Sequence, residues 1–336
     1  MKYLAFCFLL LCILPQLSAQ KSVRIAFYNV ENLFDLEDDP NTLDEDFTPT
    51  GKQQWTAERY QKKLEQLAKV LDAMGDPAFI GLAEVENAKV MEALAEEGLL
   101  RESKYDIAHF DSPDLRGIDV GLLYQKKAFK VLEQSYIRIT FPPDEKGEAY
   151  TSRDILYVKG KLKDSGDIIH FFVNHWPSRR GGEQASEPRR LLVASKLKEK
   201  VDELFAADSL AQIVIMGDFN DEPNNKSVSE VLGAQPFGNP VAGRQLYNCF
   251  AAYQGKSLGS YNYRGNWNML DQIIVSSALA SQGHTPHASS PAIFAPEWVM
   301  YKGDRFGLSP NRTYGGPNYY GGFSDHLPVF IDLILD

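Results

Sequence analysis

Short apolar runs bounded by polar residues recur along the chain and predict strands. Over residues 23–30, Val23, Ile25 and Phe27 fall on one face, the period of two that is typical of a half-buried strand. Further runs with the length of buried strands cover residues 78–83, 118–124, 154–162, 168–174, 212–216 and 270–276, and a last one covers 323–335. The pattern therefore predicts a chain rich in strands.

Two segments have the spacing of amphipathic helices instead. The first covers residues 56–74, and its shared apolar face consists of Leu64, Leu67, Ala68 and Leu71. The second covers residues 187–205, where Ser186 is placed to cap the helix and Pro188 suits its first turn. Its apolar face consists of Leu197, Val201 and Leu204.

Many strands with few helices between them favour an α/β protein whose sheets are partly antiparallel, because a wholly parallel sheet needs a crossover helix at nearly every step. The chain of 336 residues shows no internal repeat and no long flexible linker. One domain over residues 20–336 is the simplest interpretation.

The first 19 residues predict a secretory signal peptide. Lys2 precedes an apolar stretch from Leu4 to Leu14, which is too short to span a bilayer, and Ser18-Ala19 offers a small-residue cleavage site. We therefore expect a secreted or periplasmic protein. Cleavage would leave Cys249 as the one cysteine of three, which excludes an internal disulfide in the mature chain. No later stretch has the length of a transmembrane helix.

The composition is that of an ordinary globular protein, with 44% hydrophobic and 24% charged residues. The formal net charge of −10 disfavours a protein that coats nucleic acid or an anionic membrane through its overall field, although a local basic patch stays possible. The segment 281–322 is rich in proline, glycine and aromatic residues. Long loops of this kind often border binding sites, and a packed structural loop is an equally good interpretation.

Polar clusters lie at the ends of the predicted strands. The four that follow a strand begin at Asn29, Glu84, Asn174 and Gly217, and the two that precede one are Asp271 and Ser324-Asp325-His326. In antiparallel sheets the end of an ascending strand lies beside the start of a descending one, so all six clusters can meet at one edge. A single cluster of this kind is more typical of a turn, a helix cap or a histidine with ordinary hydrogen-bond partners. The six clusters together indicate a functional site.

Such a site would gather several carboxylates and two histidines. Carboxylates crowded into one pocket take up protons unless a cation compensates them, so the pattern implies a divalent metal. Oxygen and amide ligands without cysteine favour Mg²⁺, with Mn²⁺ or Ca²⁺ as alternatives, over a structural zinc. Hard-oxygen sites of this kind bind phosphate substrates through the metal.

The same clusters resemble the endonuclease/exonuclease/phosphatase superfamily of metal-dependent phosphoesterases. The matching pieces are Tyr28-Asn29-Val30-Glu31-Asn32, Glu84-Val85, Asn174-His175-Trp176, Gly217-Asp218-Phe219-Asn220, Leu270-Asp271-Gln272-Ile273 and Ser324-Asp325-His326-Leu327-Pro328-Val329. They occur in the family's order across almost the whole mature chain. The resemblance implies a four-layer α/β sandwich, in which two mixed, mostly antiparallel sheets pack face to face with helices outside.

The resemblance also implies a role for each matched residue. Glu84 would be the main metal ligand, and Asn29, Glu31 and Asp325 would contribute directly or through water. Asp218 and Asn220 would orient the attacking water, His326 would contact the phosphoryl group, Asp271 would orient His326, and His175 would assist the leaving oxygen. Whether Asp218 or His326 is the general base stays open, and Asn174 is assigned to substrate binding.

Arginines near these clusters are candidates for binding phosphate. Arg116 and Arg153 precede strands, and Arg179 and Arg180 follow His175 on a basic loop. Solubilising charge is an equally good interpretation of that loop. The sequence favours a nuclease-like phosphodiesterase acting on a phosphoester, most simply nucleic acid, and predicts no protein partner. The alternatives are a phosphatase or phospholipase acting on a small or lipid headgroup phosphate, and a binding protein that has lost catalysis.

Overall fold

The structure is a computed structural model that describes residues 21–143, 147–238, 243–281 and 285–335. The predicted signal peptide, residues 1–19, lies outside these ranges. Within them, no helix combines the length and the apolar character that crossing a membrane requires.

The described residues form nineteen strands. The first ten are β1 (Ser22–Leu33), β2 (Phe79–Val85), β3 (Tyr105–His109), β4 (Asp119–Gln125), β5 (Phe129–Ile137), β6 (Ile155–Leu162), β7 (Ile168–His175), β8 (Gln212–Asp218), β9 (Ala234–Pro236) and β10 (Leu246–Asn248). The others are β11 (Tyr261–Tyr263), β12 (Asn266–Asn268), β13 (Asp271–Ser276), β14 (His287–Ile293), β15 (Met300–Gly303), β16 (Gly307–Pro310), β17 (Tyr314–Gly315), β18 (Asn318–Tyr319) and β19 (Val329–Ile334).

Five α-helices accompany the strands in the described ranges: α1 (Ala57–Ala73), α2 (Ala88–Ala95), α3 (Leu100–Ser103), α4 (Glu183–Ala207) and α5 (Ser277–Ala280). Short 3₁₀ turns cover Glu45–Phe47, Ala251–Tyr253 and Glu297–Val299, and a π-helical turn covers Ser227–Val231. Helix α1 is the one predicted from residue 56, and the Thr56 side chain caps it by accepting the backbone N–H of Arg59.

Two large mixed sheets form the body of the protein. The six-stranded sheet has the order β14-β19-β1-β2-β4-β3, and the seven-stranded sheet has the order β5-β6-β7-β8-β13-β10-β9. Strands β1 and β2 run parallel in the first sheet, as do β7 and β8 in the second, and antiparallel strands flank each of these pairs. Each sheet therefore has a central parallel pair whose carboxyl ends lie beside the start of an antiparallel strand.

Three hydrophobic clusters show how the sheets and helices are layered. The cluster between the sheets includes Phe27 and Phe79 from the first sheet and Phe171 and Met216 from the second. The outer face of the first sheet packs on α1 and α2, and the outer face of the second sheet packs on α4. The α/β sandwich expected from the sequence is therefore confirmed.

Two predicted boundaries are wrong. Helix α4 begins at Glu183, not at residue 187, so Ser186 lies inside the helix and its hydroxyl donates to the carbonyl of Gly182 at 2.7 Å. The strand predicted over 323–335 begins at Val329. The residues before it leave the sheet because the N–H of Leu327 donates to the carbonyl of Ser260 at 2.7 Å.

Aromatic side chains fix the spacing between the two sheets. The rings of Phe79 and Phe171 stack across the interface with centroids 4.6 Å apart, and Phe129 meets both rings edge-on. Because all three side chains are almost fully buried, these contacts help to hold the two sheets together.

Replacing Phe171 by alanine is expected to lower the free energy of unfolding by about 3–5 kcal/mol, because it leaves a cavity between the sheets. Urea denaturation followed by circular dichroism measures the change. Leu132→Ala is the control, since Leu132 is half-exposed on β5, and its effect should be within about 0.5 kcal/mol. Equal losses in the two variants would contradict the role given to the aromatic interface.

Candidate active site

The strand ends of both sheets meet at one edge of the sandwich. Asn29 lies opposite Ala83, just before Glu84, in the parallel pair β1–β2. In the other sheet Asp218 is flanked by His175 of β7 and by Asp271 of β13. Distances between side chains of the two sheets show that these residues form a single cluster.

Asp218 lies at the centre of this cluster. Its Oδ2 accepts a hydrogen bond from Asn29 Nδ2 at 3.1 Å, and lies 3.6 Å from His175 Nε2 and 3.8 Å from His326 Nε2. The side chain is 2% exposed. Burial raises the pKa of Asp218 to about 6, with the His326 charge opposing the rise and Asp271 adding to it. A carboxylate with this pKa can take a proton near neutral pH.

His326 is held between two carboxylates. Its Nδ1 hydrogen-bonds to Asp271 Oδ2 at 2.7 Å, and its Nε2 faces Asp218. Burial by itself lowers the pKa of His326, but the negative charges of Asp271 and Asp218 outweigh burial and hold this pKa well above its usual value. These two carboxylates therefore favour the protonated form of the ring.

The backbone around His326 is also fixed. The Ser324 hydroxyl donates to the carbonyl of Asn29 at 2.7 Å and accepts the N–H of His326 at 3.1 Å. The Ser260 hydroxyl accepts the N–H of Asp271 at 2.9 Å. These bonds tie the segment before β19 to β1, and they set the position of the imidazole relative to both sheets.

His175 has the opposite charge state. Its Nε2 lies 3.6 Å from Asp218 Oδ2 and 3.9 Å from Glu84 Oε1, while its Nδ1 is buried without a hydrogen-bond partner in the described ranges. Burial lowers the pKa of His175 well below its usual value, and the charges of Arg153 and Arg116 lower it further. The site therefore places an imidazole that favours its neutral form and one that favours its charged form 3.6 and 3.8 Å from the same carboxylate oxygen of Asp218.

Glu84 is presented by strained backbone at the end of β2. Its φ is +64°, in the left-handed region, and the register of β2 against β4 shifts between Ala83 and Val85. Its Oε2 accepts the N–H of Asn32 at 3.0 Å, and its Oε1 lies 3.4 Å from Asn29 Nδ2. Such a conformation costs about 1–3 kcal/mol and is found mainly where a side chain is aimed at a functional site.

Glu31 and Asp325 form the acidic side of the same edge. The carboxylate of Glu31 accepts the N–H of Thr313 at 2.7 Å and that of Tyr314 at 3.2 Å. Asp325 accepts Arg312 Nη2 at 2.5 Å. Burial, followed by the charge of Asp325, raises the pKa of Glu31 to about 7, while the charges of Lys63 and Arg312 oppose the rise.

The residues predicted as metal ligands fit a hard divalent cation. Glu84, Glu31 and Asp325 offer carboxylate oxygens and Asn29 offers an amide, which is the donor set that Mg²⁺, Mn²⁺ and Ca²⁺ prefer. The negative charges of Glu31 and Asp325 at the same edge favour such an ion. Among the described residues of this edge, the group whose ligand atoms all lie within 4.8 Å of one another consists of Asp218, Asp271 and His326, and does not include the three predicted carboxylates.

Asn220 is held beside Asp218 from several directions. Its N–H donates to Asp218 Oδ1 at 2.9 Å, and its Nδ2 donates to the carbonyl of Trp176 at 3.0 Å. Its φ is +49°. The next residue, Asp221, pairs with the fully buried Arg190 of α4 at 2.7 Å. Helix α4 therefore anchors the loop that carries both Asp218 and Asn220.

The predicted substrate-binding residues differ in what they contact. Both polar atoms of Asn174 are used internally, with Nδ2 donating to the Met216 carbonyl and Oδ1 accepting the Trp176 indole N–H. Arg153 is buried and donates to Asp114 and to the Trp176 carbonyl. These contacts hold the strand ends together.

The remaining three arginines lie around the loops of the site. Arg179 donates through Nε to the Asn220 carbonyl at 2.7 Å. Arg116 is half-exposed, and its Nε lies 3.7 Å from Asp114 Oδ1. Its positive charge contributes to lowering the pKa of His175. Arg180 is exposed. Arg116 and Arg180 are thus the more accessible candidates for a substrate phosphate.

Three residues of the site were not anticipated from the sequence. Arg312 lies 3.7 Å from Glu31 and also pairs with Asp325, and the ring of Tyr261 lies 4.8 Å from that of His326. Lys63 donates to Thr313 and to the carbonyl of Phe323, both at 2.6 Å. The sequence could have indicated Lys63, because it is a charged residue on the apolar face of α1. Arg312 and Tyr261 lie in segments without a periodic pattern, so the sequence did not indicate them.

Comparison with known proteins assigns the family. The Endonuclease/Exonuclease/phosphatase family matches residues 24–334. No curated protein sequence matches the chain significantly. Similar solved structures include an endonuclease/exonuclease/phosphatase family protein from Bacteroides thetaiotaomicron, with a TM-score of 0.59 and 16% identity over 95% of this chain and 100% of that one.

Two further structures share the fold. The mannosyl-6-phosphatase of B. thetaiotaomicron has a TM-score of 0.59 and 18% identity over 94% of this chain and 100% of its own. The human Nocturnin catalytic domain, solved with a bound sulfate anion, has a TM-score of 0.54 and 16% identity over 94% and 95% of the two chains. Identities this low speak for the fold alone. Together with the family match, they confirm the predicted resemblance: the chain belongs to the endonuclease/exonuclease/phosphatase family of metal-dependent phosphoester hydrolases.

Proposed function

We propose that this protein is a nuclease-like phosphodiesterase that hydrolyses its substrate by in-line attack of water on phosphorus, with Mg²⁺ as the ion. The observation that carries the proposal is Asp218, a buried carboxylate with a raised pKa that lies between a neutral and a charged imidazole. Such a group is suited to accept a proton from water while neighbouring groups stabilise the negative charge on the phosphoryl group.

Asp218 is assigned as the general base. Its pKa of about 6 leaves it ionised at neutral pH yet basic enough to take a proton in the transition state. Asn220, whose N–H donates to Asp218 Oδ1, orients the carboxylate. His326 is a poor base because Asp271 and Asp218 keep it protonated.

The imidazolium of His326 has a different role. Its Nε2–H, on the side facing Asp218, can donate to a phosphoryl oxygen and stabilise the negative charge that develops there. Asp271 keeps the ring oriented and charged through the bond to Nδ1. Arg116 and Arg180 can contact further phosphate oxygens.

Glu84, Asn29, Glu31 and Asp325 would hold the divalent ion. When bound, the ion neutralises charge on the phosphoryl oxygens. The protein's own contribution at this point is positional, because the strained backbone of Glu84 and the two N–H bonds to Glu31 fix the carboxylates before substrate arrives.

His175 is placed to assist the leaving oxygen. Hydrolysis of either a diester or a monoester expels an alkoxide, which needs a hydrogen-bond donor, and the imidazole of His175 lies beside Asp218 and Glu84 where it can supply one. A phosphatase or phospholipase acting on a small or lipid headgroup phosphate is the second candidate, and the net charge of −10 favours it. A non-catalytic binding protein is disfavoured because every matched catalytic position is filled.

The purified protein is expected to hydrolyse bis-p-nitrophenyl phosphate and DNA with Mg²⁺ and to stop when a chelator is added. Asp218→Asn should lower kcat by about 10²-fold or more. Asp202→Asn on the exposed face of α4 is the control and should leave the rate unchanged. Hydrolysis of p-nitrophenyl phosphate alone would select the phosphatase, and no hydrolysis with any metal would select the binding protein.

The pH dependence should identify the base. If Asp218 is the base, kcat/KM rises as pH increases through about 6, where this carboxyl loses its proton, and falls only well above pH 6.5, where His326 loses its own. Asp271→Asn should move the falling limb to lower pH, since it removes the charge that keeps His326 protonated. A rate that rises only in the alkaline range would show instead that neutral His326 is the base.

We also propose that the enzyme is exported. The support is the apolar stretch from Leu4 to Leu14 and the small residues before Gln20. Mass spectrometry of protein recovered from the native host should find Gln20 as the mature amino terminus. An intact Met1 terminus in a cytoplasmic fraction would contradict export without bearing on the catalytic proposal.

A further inference from the structure

Two hairpins lie near the site and contact each other. One is formed by β11 and β12, the other by β15 and β16. Asn262 Nδ2 donates to the carbonyl of Leu308 at 3.2 Å. A methyl group placed on Gly265 would come within 3.4 Å of the Phe306 carbonyl oxygen, so the turns of the two hairpins also lie side by side. We call these two adjoining turns, residues 263–265 and 305–307, the paired tips.

The paired tips display aromatic rings, each covered by an arginine. Tyr263 is 54% exposed and Phe306 is 42% exposed. The Arg264 guanidinium lies 5.1 Å from the centre of the Tyr263 ring, and that of Arg305 lies 4.9 Å from the Phe306 ring. A protein with a net charge of −10 thus carries two exposed rings and two exposed cations together on one small surface.

The β11 hairpin starts inside the site. Tyr261, its first residue, forms an antiparallel bridge with His326, and their rings lie 4.8 Å apart. Side chains two residues apart on a strand point to the same face. Tyr263 therefore lies on the face that Tyr261 turns toward His326, about 7 Å further along the strand.

We propose that the paired tips bind the bases of a single-stranded nucleic acid whose scissile phosphate lies at His326. This inference rests on the proposed phosphodiesterase function and names its substrate class. Bases stack on aromatic rings regardless of sequence, and arginines beside the rings pair with the flanking phosphates. A membrane surface fits less well, because a guanidinium over each ring interrupts the apolar surface that would have to enter the lipid.

The test compares two substrates with the full chain and Mg²⁺. A 12-nucleotide single-stranded DNA whose scissile phosphate lies at His326 is long enough to contact the paired tips. Bis-p-nitrophenyl phosphate is a small substrate that does not extend to them. The double variant Tyr263→Ala/Phe306→Ala is expected to raise KM for the DNA at least about fivefold, the effect of losing one stacked base. Its kcat/KM for bis-p-nitrophenyl phosphate should stay within about twofold of wild type.

Two controls separate stacking from general effects. Tyr136→Ala removes another exposed tyrosine, on β5, that also has an arginine 5.1 Å from its ring centre, and it should leave KM for the DNA unchanged. Tyr263→Phe keeps the ring and should retain the wild-type KM. If this conservative variant fails like the alanine variant, the ring is not a stacking surface and the inference is wrong.

The remaining outcomes distinguish this inference from the proposed function. An unchanged KM for DNA, or an equal loss on both substrates, would overturn the role of the paired tips. Hydrolysis of bis-p-nitrophenyl phosphate without any cleavage of DNA would also overturn it while leaving the phosphodiesterase intact. If neither diester is hydrolysed, the proposed function fails first. Binding of wild type to phosphatidylserine vesicles that the double variant loses, with DNA cleavage unchanged, would show a membrane surface instead.

Discussion

The hydrogen bond between His326 and Asp271 joins the two sheets at the site. Asp271 opens β13 in the seven-stranded sheet, whereas His326 precedes β19 in the six-stranded one. Both groups are buried, so neither charge is stable without the other. The raised pKa of His326 and the orientation of its Nε2 toward Asp218 both depend on this contact. The hydrophobic core between the two sheets keeps the sheets packed against each other.

Much of this arrangement could be predicted from the sequence because its parts are local. Each polar cluster follows or precedes an apolar run, and strand direction alone places such clusters at a common edge. The central strands and the partly antiparallel α/β class were predicted for the same reason, whereas the sandwich architecture was predicted from the family resemblance. The predicted start of α4 was wrong because Ser186 bonds to Gly182 within the helix instead of capping it. The predicted start of β19 was wrong because the N–H of Leu327 makes a tertiary bond to Ser260.

The rest of the site depends on contacts that no local pattern encodes. The left-handed backbone of Glu84 and Asn220 is imposed by the strand register and by the loops around them. Arg312 reaches Asp325 only because the long segment before β19 folds back over the edge. Arg153 and Arg179 were assigned to substrate from their charge, yet both donate to backbone carbonyls of the site loops. Charge near a motif cannot distinguish an arginine that binds substrate from one that fixes a loop.

The antiparallel pairing of β1 with β19 has a consequence for how the chain becomes active. Asn29 and His326 are brought together by strands from opposite ends of the sequence, so the central groups of the site are incomplete until the final strand is in place. A partly synthesised or partly folded chain lacks its imidazolium, however well its first strands have formed. Hydrolytic capacity would thus require that β19 has paired with β1.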